Sequence, residues 1–580
     1  MSKLSVDQKI IKDLLSSKTA NFLIPDYQRP YAWTLDECGT LWDDLFDFAF
    51  PEKDSGRFNT LNEYYLGPIV TFRNPNGQLE IIDGQQRLTT IMLLLRAFYD
   101  KFTLMKDESS IKIRTLIATC VWTTDEFGDA NLNELKIDSE VASDNDKNEF
   151  LTILKTGSVE KNWKSTYANN FRFFKERISE LTEHYPSYVA LFAARILNNA
   201  ILLPIEAESQ DTALRIFSTL NDRGLPLSDA DIFKSQFYKY FTSIGEKDHF
   251  INEWKKLEQL CESIFIGQKR NANSMDELFT RYMYYERAKK GIRDTTTKSL
   301  RDFYSENSYE LLKNKETFTN LYHLANFWKK VVNLDSSFNE DVRKCLYVLS
   351  AAPNGMWMYL LSVYFFAKRD GNNELNQADL KIFLNKITAF IFAYAIDRPG
   401  VNALRSPVYP EMINLIKGKE VEFADYHFQR SALKTQLEMY DFTNQRPITR
   451  SMLFWWMLNN SNQKPLDMSI PMEIEHIYSR RRARDYPLKE SSNLESIGNK
   501  TMLEKRINIR ASDYRFEDKK KYYTGYTDNN GDKKEPTANL ELLALSDQQA
   551  DFTEDNIVDR KAKIINEFIT YLDRNGLIKN

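Results

Sequence analysis

A single histidine near the C-terminus stands in a sequence that favours hydrolytic chemistry. His476 belongs to the strand-like run Ile474–Ile477, and an arginine cluster follows it over positions 480–484. Asn499 comes 23 residues after the histidine and Asn508 nine residues later. A neutral imidazole can deprotonate water, while carboxylate and amide oxygens can hold a hard divalent cation. These residue types predict a one-metal site for phosphodiester hydrolysis.

The local backbone decides which of these side chains can meet. Adjacent residues of a strand face opposite sides, so Glu475 and His476 are expected to point away from each other. One of them can then hold a metal while the other faces water. A lone histidine is more often structural than catalytic, and the neighbouring arginines are what favour phosphate chemistry here.

A second polar group lies between a predicted strand and a predicted helix. Segments 64–72 and 79–82 have the character of buried strands, and 88–99 that of an apolar helix. The loop Asp83–Arg87 therefore aims its side chains, and the free N–H groups of the helix start, at one place. Asp83 can hold Mg²⁺ or orient water, whereas Arg87 offers a planar fork to phosphate oxygens.

Other residues extend this predicted phosphate site. Gln85 and Gln86 can position a ligand without adding charge, and Arg29 offers a second phosphate contact. Arg223, on the turn 221–224, is a third candidate, although that turn can equally be a helix cap. Tyr31 and Trp33 can stack on a base or belong to the core, and the sequence leaves both readings open.

The pattern along the chain predicts an α+β protein that is predominantly helical. Strands and helices are mixed up to about residue 240, and residues from about 240 to 450 read as helical and aromatic-rich. A polar stretch at 459–471 leads to a compact final unit. Breaks in the helical region are expected near 291–298, 371–376 and 397–410.

Composition excludes several classes of protein. The 580 residues carry 78 Lys and Arg against 82 Asp and Glu, so a uniformly basic nucleic-acid binder is excluded. Between Glu473 and Lys521, however, 13 basic residues stand against 9 acidic ones. The four cysteines form no Cys-x-x-Cys pair, which argues against a zinc ribbon or a disulfide framework. Without a signal-type or membrane-spanning apolar run, we expect a cytoplasmic protein and no membrane partner.

The C-terminal motifs resemble a known nuclease domain. The segments IEHIYS, NLESIGNKTMLEKRIN and FEDKKKYY are similar to the HNH (ββα-metal) domain of GmrSD-type restriction enzymes. The resemblance implies that His476 is the general base and that Asn508 fills the third motif position. It places Glu475 and Asn499 beside the metal, Mg²⁺ or Mn²⁺, with Asn499 also counted as catalytic. Lys519 or Lys520 matches the trailing lysine.

Three positions depart from that family's pattern. Ser479 stands where proline is usual, and Lys500 stands where leucine usually follows Gly-Asn. Asn508 is an asparagine in place of a histidine. These departures leave open whether the HNH domain is active.

The N-terminal half resembles the partner domain of the same enzymes. IPDYQRPYAW, DGQQRLTT and IFSTLNDRGLPLSDADIFKS are similar to the DGQQR-motif domain, which has a ParB/sulfiredoxin-like core and hydrolyses nucleoside triphosphates. The resemblance implies a catalytic Asp83 and a nucleotide, GTP, ATP, CTP or UTP, bound by Arg29, Gly84, Gln85, Gln86, Arg87 and Arg223. It implies domains at 1–240 (NTP-binding), 241–460 (helical) and 461–580 (HNH nuclease).

Together these resemblances point to an NTP-dependent, type IV restriction endonuclease, similar to fused GmrSD and BrxU-like proteins, that cleaves or nicks modified double-stranded DNA. A homodimer is left open. One alternative is an NTP-hydrolysing, DNA-binding sensor or switch whose HNH domain is degenerate. A second is a different nuclease site in the N-terminal half, because Asp129, Glu134 and Lys136 loosely match a PD-(D/E)xK triad.

Overall fold

The protein forms two compact units, residues 1–255 and residues 256–580. The computed structural model describes residues 5–6, 8–25, 28–141, 146–209, 212–213, 216, 228–265, 273–400 and 402–579. Helices predominate and a mixed sheet lies in the N-terminal unit, which confirms the α+β, mostly helical prediction. The three-domain division at 240 and 460 stays a prediction, since the helical middle region and the C-terminal residues lie within one compact unit.

The N-terminal unit is built on a seven-stranded mixed sheet. The strands of this unit are β1 (Ser5–Val6), β2 (Lys9–Ile10), β3 (Phe22–Ile24), β4 (Tyr64–Arg73), β5 (Leu79–Asp83), β6 (Trp122–Thr124), β7 (Ala130–Leu135), β8 (Ile137–Ser139) and β9 (Ala200–Ala207). Their order in the sheet is β1-β9-β4-β5-β3-β8, with β2 also paired to β9, while β6 and β7 form a separate hairpin. β4 runs antiparallel to β5 and parallel to β9.

Helices cover this sheet and bury a large apolar core. They are α1 (Ile11–Ser16), α2 (Leu35–Ala49), α3 (Gln85–Thr103), α4 (Glu108–Val121), α5 (Lys147–Thr156), α6 (Thr166–His184), α7 (Tyr188–Asn199) and α8 (Asp229–Ser243). α3 is central, because most of its side chains are buried. It starts at Gln85, before the predicted apolar run, because Gly84 turns the chain directly from strand into helix with a φ of 89°.

The second unit is almost entirely helical. α9 (Lys247–Ile264) crosses the division between the units, and the helices that follow it are α10 (Ser274–Lys289), α11 (Leu300–Tyr304), α12 (Lys315–Val332), α13 (Glu340–Ser350), α14 (Met356–Lys368), α15 (Gln377–Asp397), α16 (Arg405–Ile416), α17 (Arg430–Met439), α18 (Pro447–Leu458), α19 (Arg480–Asp485), α20 (Lys505–Ala511), α21 (Phe516–Thr524), α22 (Leu540–Gln548) and α23 (Glu554–Arg574). The predicted break near 397–410 is shorter than expected, because α16 resumes at Arg405 and contains Pro410.

Short strands complete this unit. They are β10 (Phe428–Gln429), β11 (Met472–His476), β12 (Lys500–Glu504), β13 (Tyr526–Thr527), β14 (Lys533–Lys534) and β15 (Ile578–Lys579). β11 and β12 form an antiparallel pair, and α20 follows directly after β12. Across the described part of the chain, no helix has both the length and the apolar character needed to cross a bilayer.

Candidate active sites

The pair β11–β12 positions the predicted nuclease residues. Its register places His476, the last residue of β11, opposite Lys500, the first residue of β12. A connection of 23 residues joins the two strands, and α20 carries Asn508 immediately after them. The strand–strand–helix order therefore brings the first and third motif segments onto adjacent elements.

Glu475 and His476 diverge, as strand alternation predicts. Glu475 Oε1 lies 2.6 Å from Lys519 Nζ and 2.6 Å from the Tyr523 hydroxyl. His476 Nε2 instead lies 3.4 Å from Glu495 Oε1. The two neighbouring side chains thus belong to two different polar clusters.

The Glu475 cluster is a buried ion pair. Glu475 is 5% exposed and Lys519 1% exposed. Burial raises the pKa of Glu475, and the Lys519 ammonium and the Tyr523 hydrogen bond oppose that rise. Lys519 also donates to the His476 carbonyl at 2.7 Å, whereas Lys520 donates to the Gln549 carbonyl. Of the two trailing lysines, Lys519 is therefore the one that contacts the strand.

Asn499 fastens the connection between the strands. Its Oδ1 accepts the Tyr478 N–H at 2.7 Å, and its Nδ2 donates to the carbonyls of Tyr478 and Leu494. The residue is fully buried. The carboxamide is thus engaged by the backbone around it, in a position that holds the chain just after His476.

Helix α23 closes against the same connection. Arg560 donates to the carbonyls of Ile497, Gly498 and Lys500 at 3.2, 3.0 and 2.7 Å. A Cβ atom at Gly498 would lie 2.1 Å from the Ile557 carbonyl oxygen. Only glycine permits so close an approach, so α23 fixes the backbone on which Asn499 and Lys500 depend.

Asn508 lies with another carboxylate of β11. Its Nδ2 donates to Glu473 Oε2 at 2.9 Å. Because Glu473 is two residues before Glu475, the two carboxylates leave the same side of the strand. The predicted third motif residue is therefore placed on the Glu475 side, and its role in catalysis stays a prediction.

The His476 ring sits among charged side chains. Its side chain is 10% exposed, and burial together with the Lys500 and Arg480 cations lowers its pKa to about 4, an effect that Glu495 opposes. Glu495 Oε1 is 3.0 Å from Arg480 and Oε2 is 2.5 Å from Lys500 Nζ. The imidazole is therefore neutral at pH 7, the state that a general base requires.

Glu495 is a site residue that sequence reasoning missed. It lies on a single helical turn in the long connection, and nothing in its spacing from His476 singles it out. Lys500 gave the only signal, because a lysine in place of an apolar residue at a strand start implies a nearby carboxylate.

The arginines of the predicted cluster differ in their partners. Arg482 pairs with the Asp551 carboxylate at 2.5 Å and lies over the Tyr478 ring, so it holds α19 in place. Arg480 pairs with Glu495, while Arg481 and Arg484 are exposed. Arg480 is exposed as well but is engaged by Glu495, so Arg481 and Arg484 are the members available to phosphate groups of a nucleic acid.

The predicted metal residues do not fit a divalent cation in this arrangement. The Lys519 ammonium already occupies Glu475 Oε1, and the Asn499 carboxamide is engaged by backbone groups. Among the described residues, no group of three or more His, Cys, Asp and Glu side chains is arranged to hold a metal ion. A cation at Glu475 would have to displace the buried Lys519 ammonium.

In the N-terminal unit, the strand β5 and the helix α3 bring Asp83 and Arg87 together. Burial raises the pKa of Asp83, and the N–H of Gly84 and the charges of Arg87 and Arg29 oppose that rise. Arg87 also donates to the Pro68 carbonyl at 2.8 Å. The predicted site residues Asp83, Arg87 and Arg29 therefore form one half-buried group of charges.

The two glutamines of the DGQQR motif hold the backbone of the preceding motif. Gln85 donates to the Arg29 carbonyl at 2.6 Å. Gln86 accepts the Ala32 N–H at 2.7 Å and donates to the Pro30 carbonyl. Both side chains are buried, so their observed contacts position Arg29 beside Asp83. The predicted ligand contacts of these glutamines stay predictions.

Two glycines permit close approach at this site. Gly84 has a φ of 89°, and a Cβ there would lie 3.0 Å from the Pro68 carbonyl oxygen. Gly67 has a φ of 116°, and a Cβ there would lie 2.8 Å from the Arg87 guanidinium. Gly84 thus shapes the turn into α3, and Gly67 makes room for Arg87.

The structure shows whether Tyr31 belongs to the core or is free to stack on a base. Its ring stacks on Tyr167 at 4.8 Å, and its hydroxyl lies 2.7 Å from Thr90 and 2.9 Å from Asn170. The side chain is buried, so Tyr31 is a core residue, and Trp33 packs partly buried against the same core. Arg223 lies outside the described residues.

The alternative PD-(D/E)xK residues do not converge. Glu134 is exposed on the β6–β7 hairpin and accepts from Thr123. Lys136 is buried and donates to the Ser17 carbonyl at 2.6 Å. Asp129 lies near the tip of the hairpin, so this triad is not assembled in the structure.

Comparison with known families matches two regions of the chain. The GmrSD restriction endonuclease N-terminal domain matches residues 11–238, and the C-terminal domain of the same enzymes matches residues 422–567. The two matches occur in the family's order and together cover more than half of the chain. The chain belongs to the GmrSD restriction endonuclease family.

The GmrSD matches contain both candidate sites. The N-terminal match includes Asp83, Arg87 and Arg29, and the C-terminal match includes His476 and Glu495. The C-terminal match begins at residue 422, inside the region predicted as a helical middle. Helices α17 and α18 therefore belong to the GmrSD C-terminal domain.

One curated relative is only distantly similar to the chain. An uncharacterized protein of Methanocaldococcus jannaschii is 24% identical over 272 residues. The match spans 42% of this chain and 44% of that protein, so it covers less than half of either.

Proposed function

We propose that the protein is an NTP-dependent endonuclease that recognises modified double-stranded DNA and cleaves or nicks it. The observation that carries the proposal is the neutral, largely buried His476 at the end of β11, within the GmrSD C-terminal domain. A buried histidine whose protonated form is disfavoured suits proton abstraction at neutral pH.

In the proposed reaction, His476 takes a proton from a water molecule. The water oxygen attacks the phosphorus of the DNA backbone, the bond from phosphorus to the leaving oxygen breaks, and the leaving oxygen takes a proton from solvent. The imidazolium that forms lies beside Glu495, whose negative charge stabilises it. Arg481 and Arg484, exposed on α19, contact neighbouring phosphates.

The N-terminal unit is proposed to bind and hydrolyse the nucleotide. Arg87 and Arg29 face the same carboxylate, Asp83, and such paired cations suit phosphate oxygens. Asp83 is the proposed catalytic residue of this site. Gln85 and Gln86 support it by holding the backbone of residues 29–32.

The test is cleavage of modified and unmodified phage DNA by the full chain, with GTP, ATP, CTP or UTP in turn. Each reaction is run with Mg²⁺, with Mn²⁺ and with EDTA, because the family resemblance implies a divalent metal whereas Glu475 and Asn499 do not fit one. We expect nicking or cleavage of modified DNA that depends on one nucleotide. Nucleotide-independent cleavage would contradict the proposed NTP dependence.

His476→Ala is the matched loss-of-function variant, with His184→Ala as its control. His184 is exposed on α6 and lies in the other unit. We expect cleavage to disappear in the first variant and to persist in the second. If neither the wild type nor the variant cleaves, while both hydrolyse NTP, the alternative of an NTP-hydrolysing sensor with a degenerate HNH domain is favoured.

A further inference from the structure

We propose that Glu495 is a positioning residue for His476, holding the ring with its hydrogen on Nε2 so that the other ring nitrogen is the base. This inference deepens the proposed nuclease function and rests on it. It assigns a role to a side chain that belongs to none of the motif positions considered above.

The Glu495 carboxylate is an acceptor within reach of Nε2. The distance from Nε2 to Glu495 Oε1 is 3.4 Å, and Nε2 is buried and makes no hydrogen bond within the part of the chain that the structure describes. A buried N–H without an acceptor is costly, so an Nε2 hydrogen directed at this carboxylate is the favoured state. Hydrogen bonds of catalytic groups are often long before substrate binds and shorten afterwards.

Two cations fix the carboxylate in its charged form. Lys500 Nζ is fully buried and bridges Glu495 Oε2 and the Phe442 carbonyl. Arg480 approaches Oε1, the same oxygen that faces His476. Burial raises the pKa of Glu495, but Lys500, His476 and Arg480 together lower it to about 2. The negative charge beside the ring is therefore permanent at neutral pH.

The arrangement places the negative charge of Glu495 beside the ring on which the reaction creates a positive charge. When the base nitrogen accepts a proton from water, the ring becomes an imidazolium with both nitrogens protonated. The Nε2 hydrogen stays on the ring, and Glu495 stabilises the new charge without taking a proton. A carboxylate held by two cations is rigid enough to do this without reorganisation.

The contact with Glu495 also explains why a lysine stands at position 500. Its replacement of the usual leucine looks like decay of the motif, but the structure pairs this lysine with Glu495 across the end of the strand pair. The departure at position 500 is thus one half of a buried pair that holds the carboxylate facing His476.

The tautomer of His476 tests the proposal without any activity measurement. The full chain is labelled with ¹⁵N-histidine, and the His476 signals are assigned by their loss in His476→Gln. We expect the wild type to carry its hydrogen on Nε2 and Glu495→Ala to show a mixture or the other tautomer. A wild type with hydrogen on Nδ1, or an unchanged tautomer in Glu495→Ala, would overturn the proposal.

A second pair of variants keeps the test valid if Glu495→Ala does not fold. Glu495→Ala leaves Lys500 buried without its carboxylate, so Glu495→Ala/Lys500→Met is measured beside Lys500→Met alone. We expect Lys500→Met to keep the Nε2 hydrogen and the double variant to lose it. The same tautomer in both would contradict the role of Glu495.

Kinetics then separate this inference from the proposed function. We expect Glu495→Gln to lower kcat for DNA cleavage about 10²-fold with KM unchanged, because it removes charge but not shape. Glu490→Gln, a change at an exposed residue nearby, is expected to have no effect. An unchanged kcat in Glu495→Gln would overturn the inference, whereas a wild type that never cleaves defeats the proposed function and leaves the tautomer result to decide this one.

Discussion

In the N-terminal site, two arginines surround one aspartate at the turn between β5 and α3, whereas in the C-terminal site a neutral histidine faces a carboxylate held by two cations. The first group leaves arginine charge directed at Asp83 and suits an anionic ligand. In the second group Lys500 and Arg480 pair with Glu495, and burial together with these two cations lowers the pKa of His476. The difference supports the proposal that the first site binds an anionic ligand and that the second transfers a proton.

The amide side chains behave alike in both sites. Gln85, Gln86 and Asn499 all use their polar groups on nearby backbone. An amide can satisfy an N–H and a carbonyl at once, which makes it an efficient clamp for an irregular segment. In each unit the motif therefore contains amides that position the site as well as the charged residues that are proposed to contact its ligand.

The buried pair behind His476 gives the largest expected effect. Lys519→Met leaves Glu475 buried without a counter-charge, and we expect a loss of about 3–5 kcal/mol in the free energy of unfolding. Denaturant unfolding of the full chain measures it, with the exposed Lys521→Met as control. Glu475→Gln/Lys519→Met should recover most of the loss. If Lys519→Met is as stable as the wild type, the ion pair does not hold α21 against β11.

The pH dependence of stability distinguishes the two sites next. Because the folded pKa of His476, about 4, is below its ordinary value of 6.5, the neutral form stabilises the fold. That contribution is present above pH 6.5 and is lost as pH falls towards 4, at a cost of about 3 kcal/mol. Between pH 6.5 and pH 4, we expect the free energy of unfolding of His476→Gln to fall by about 3 kcal/mol less than that of the wild type. Equal slopes for wild type and variant would mean that His476 is not held neutral.

A smaller effect is expected at the glycine of the N-terminal site. Gly84 and Gly77 share a positive φ, but only Gly84 would place a Cβ against neighbouring backbone. Gly77→Ala should therefore lower the free energy of unfolding by about 1 kcal/mol, the cost of placing alanine in the left-handed conformation. Gly84→Ala should cost about 1–3 kcal/mol more, through overpacking against Pro68 and Ile69. Thermal unfolding of both variants measures the difference, and equal losses would show that the turn is not crowded.

Much of the fold could be predicted from the sequence, because the patterns that identify strands and helices lie within short segments of the chain. The strands at 64–73 and 79–83 and the helix that follows them carry continuous apolar patterns, which periodicity detects. The divergence of Glu475 and His476 follows from strand geometry alone. These features depend on neighbours in the chain.

The partners of the site residues could not be predicted. Lys519 lies 44 residues from Glu475, and Arg560 lies 60 residues from Lys500. Contacts over such separations depend on how the helices pack, which no local pattern records. For the same reason, the sequence predicted Asn499 as a metal residue and did not predict Glu495 as a site residue. In the folded protein, Asn499 contacts the backbone near His476 and Glu495 lies beside the ring.

Chemical rescue tests the central claim most directly. His476→Gly removes the ring and leaves a cavity at the end of β11, and DNA cleavage by this variant is measured with and without added imidazole. If His476 is the base, imidazole should restore cleavage in the variant and leave the wild type unchanged. A folded variant that cleaves DNA at the wild-type rate without imidazole would contradict the account.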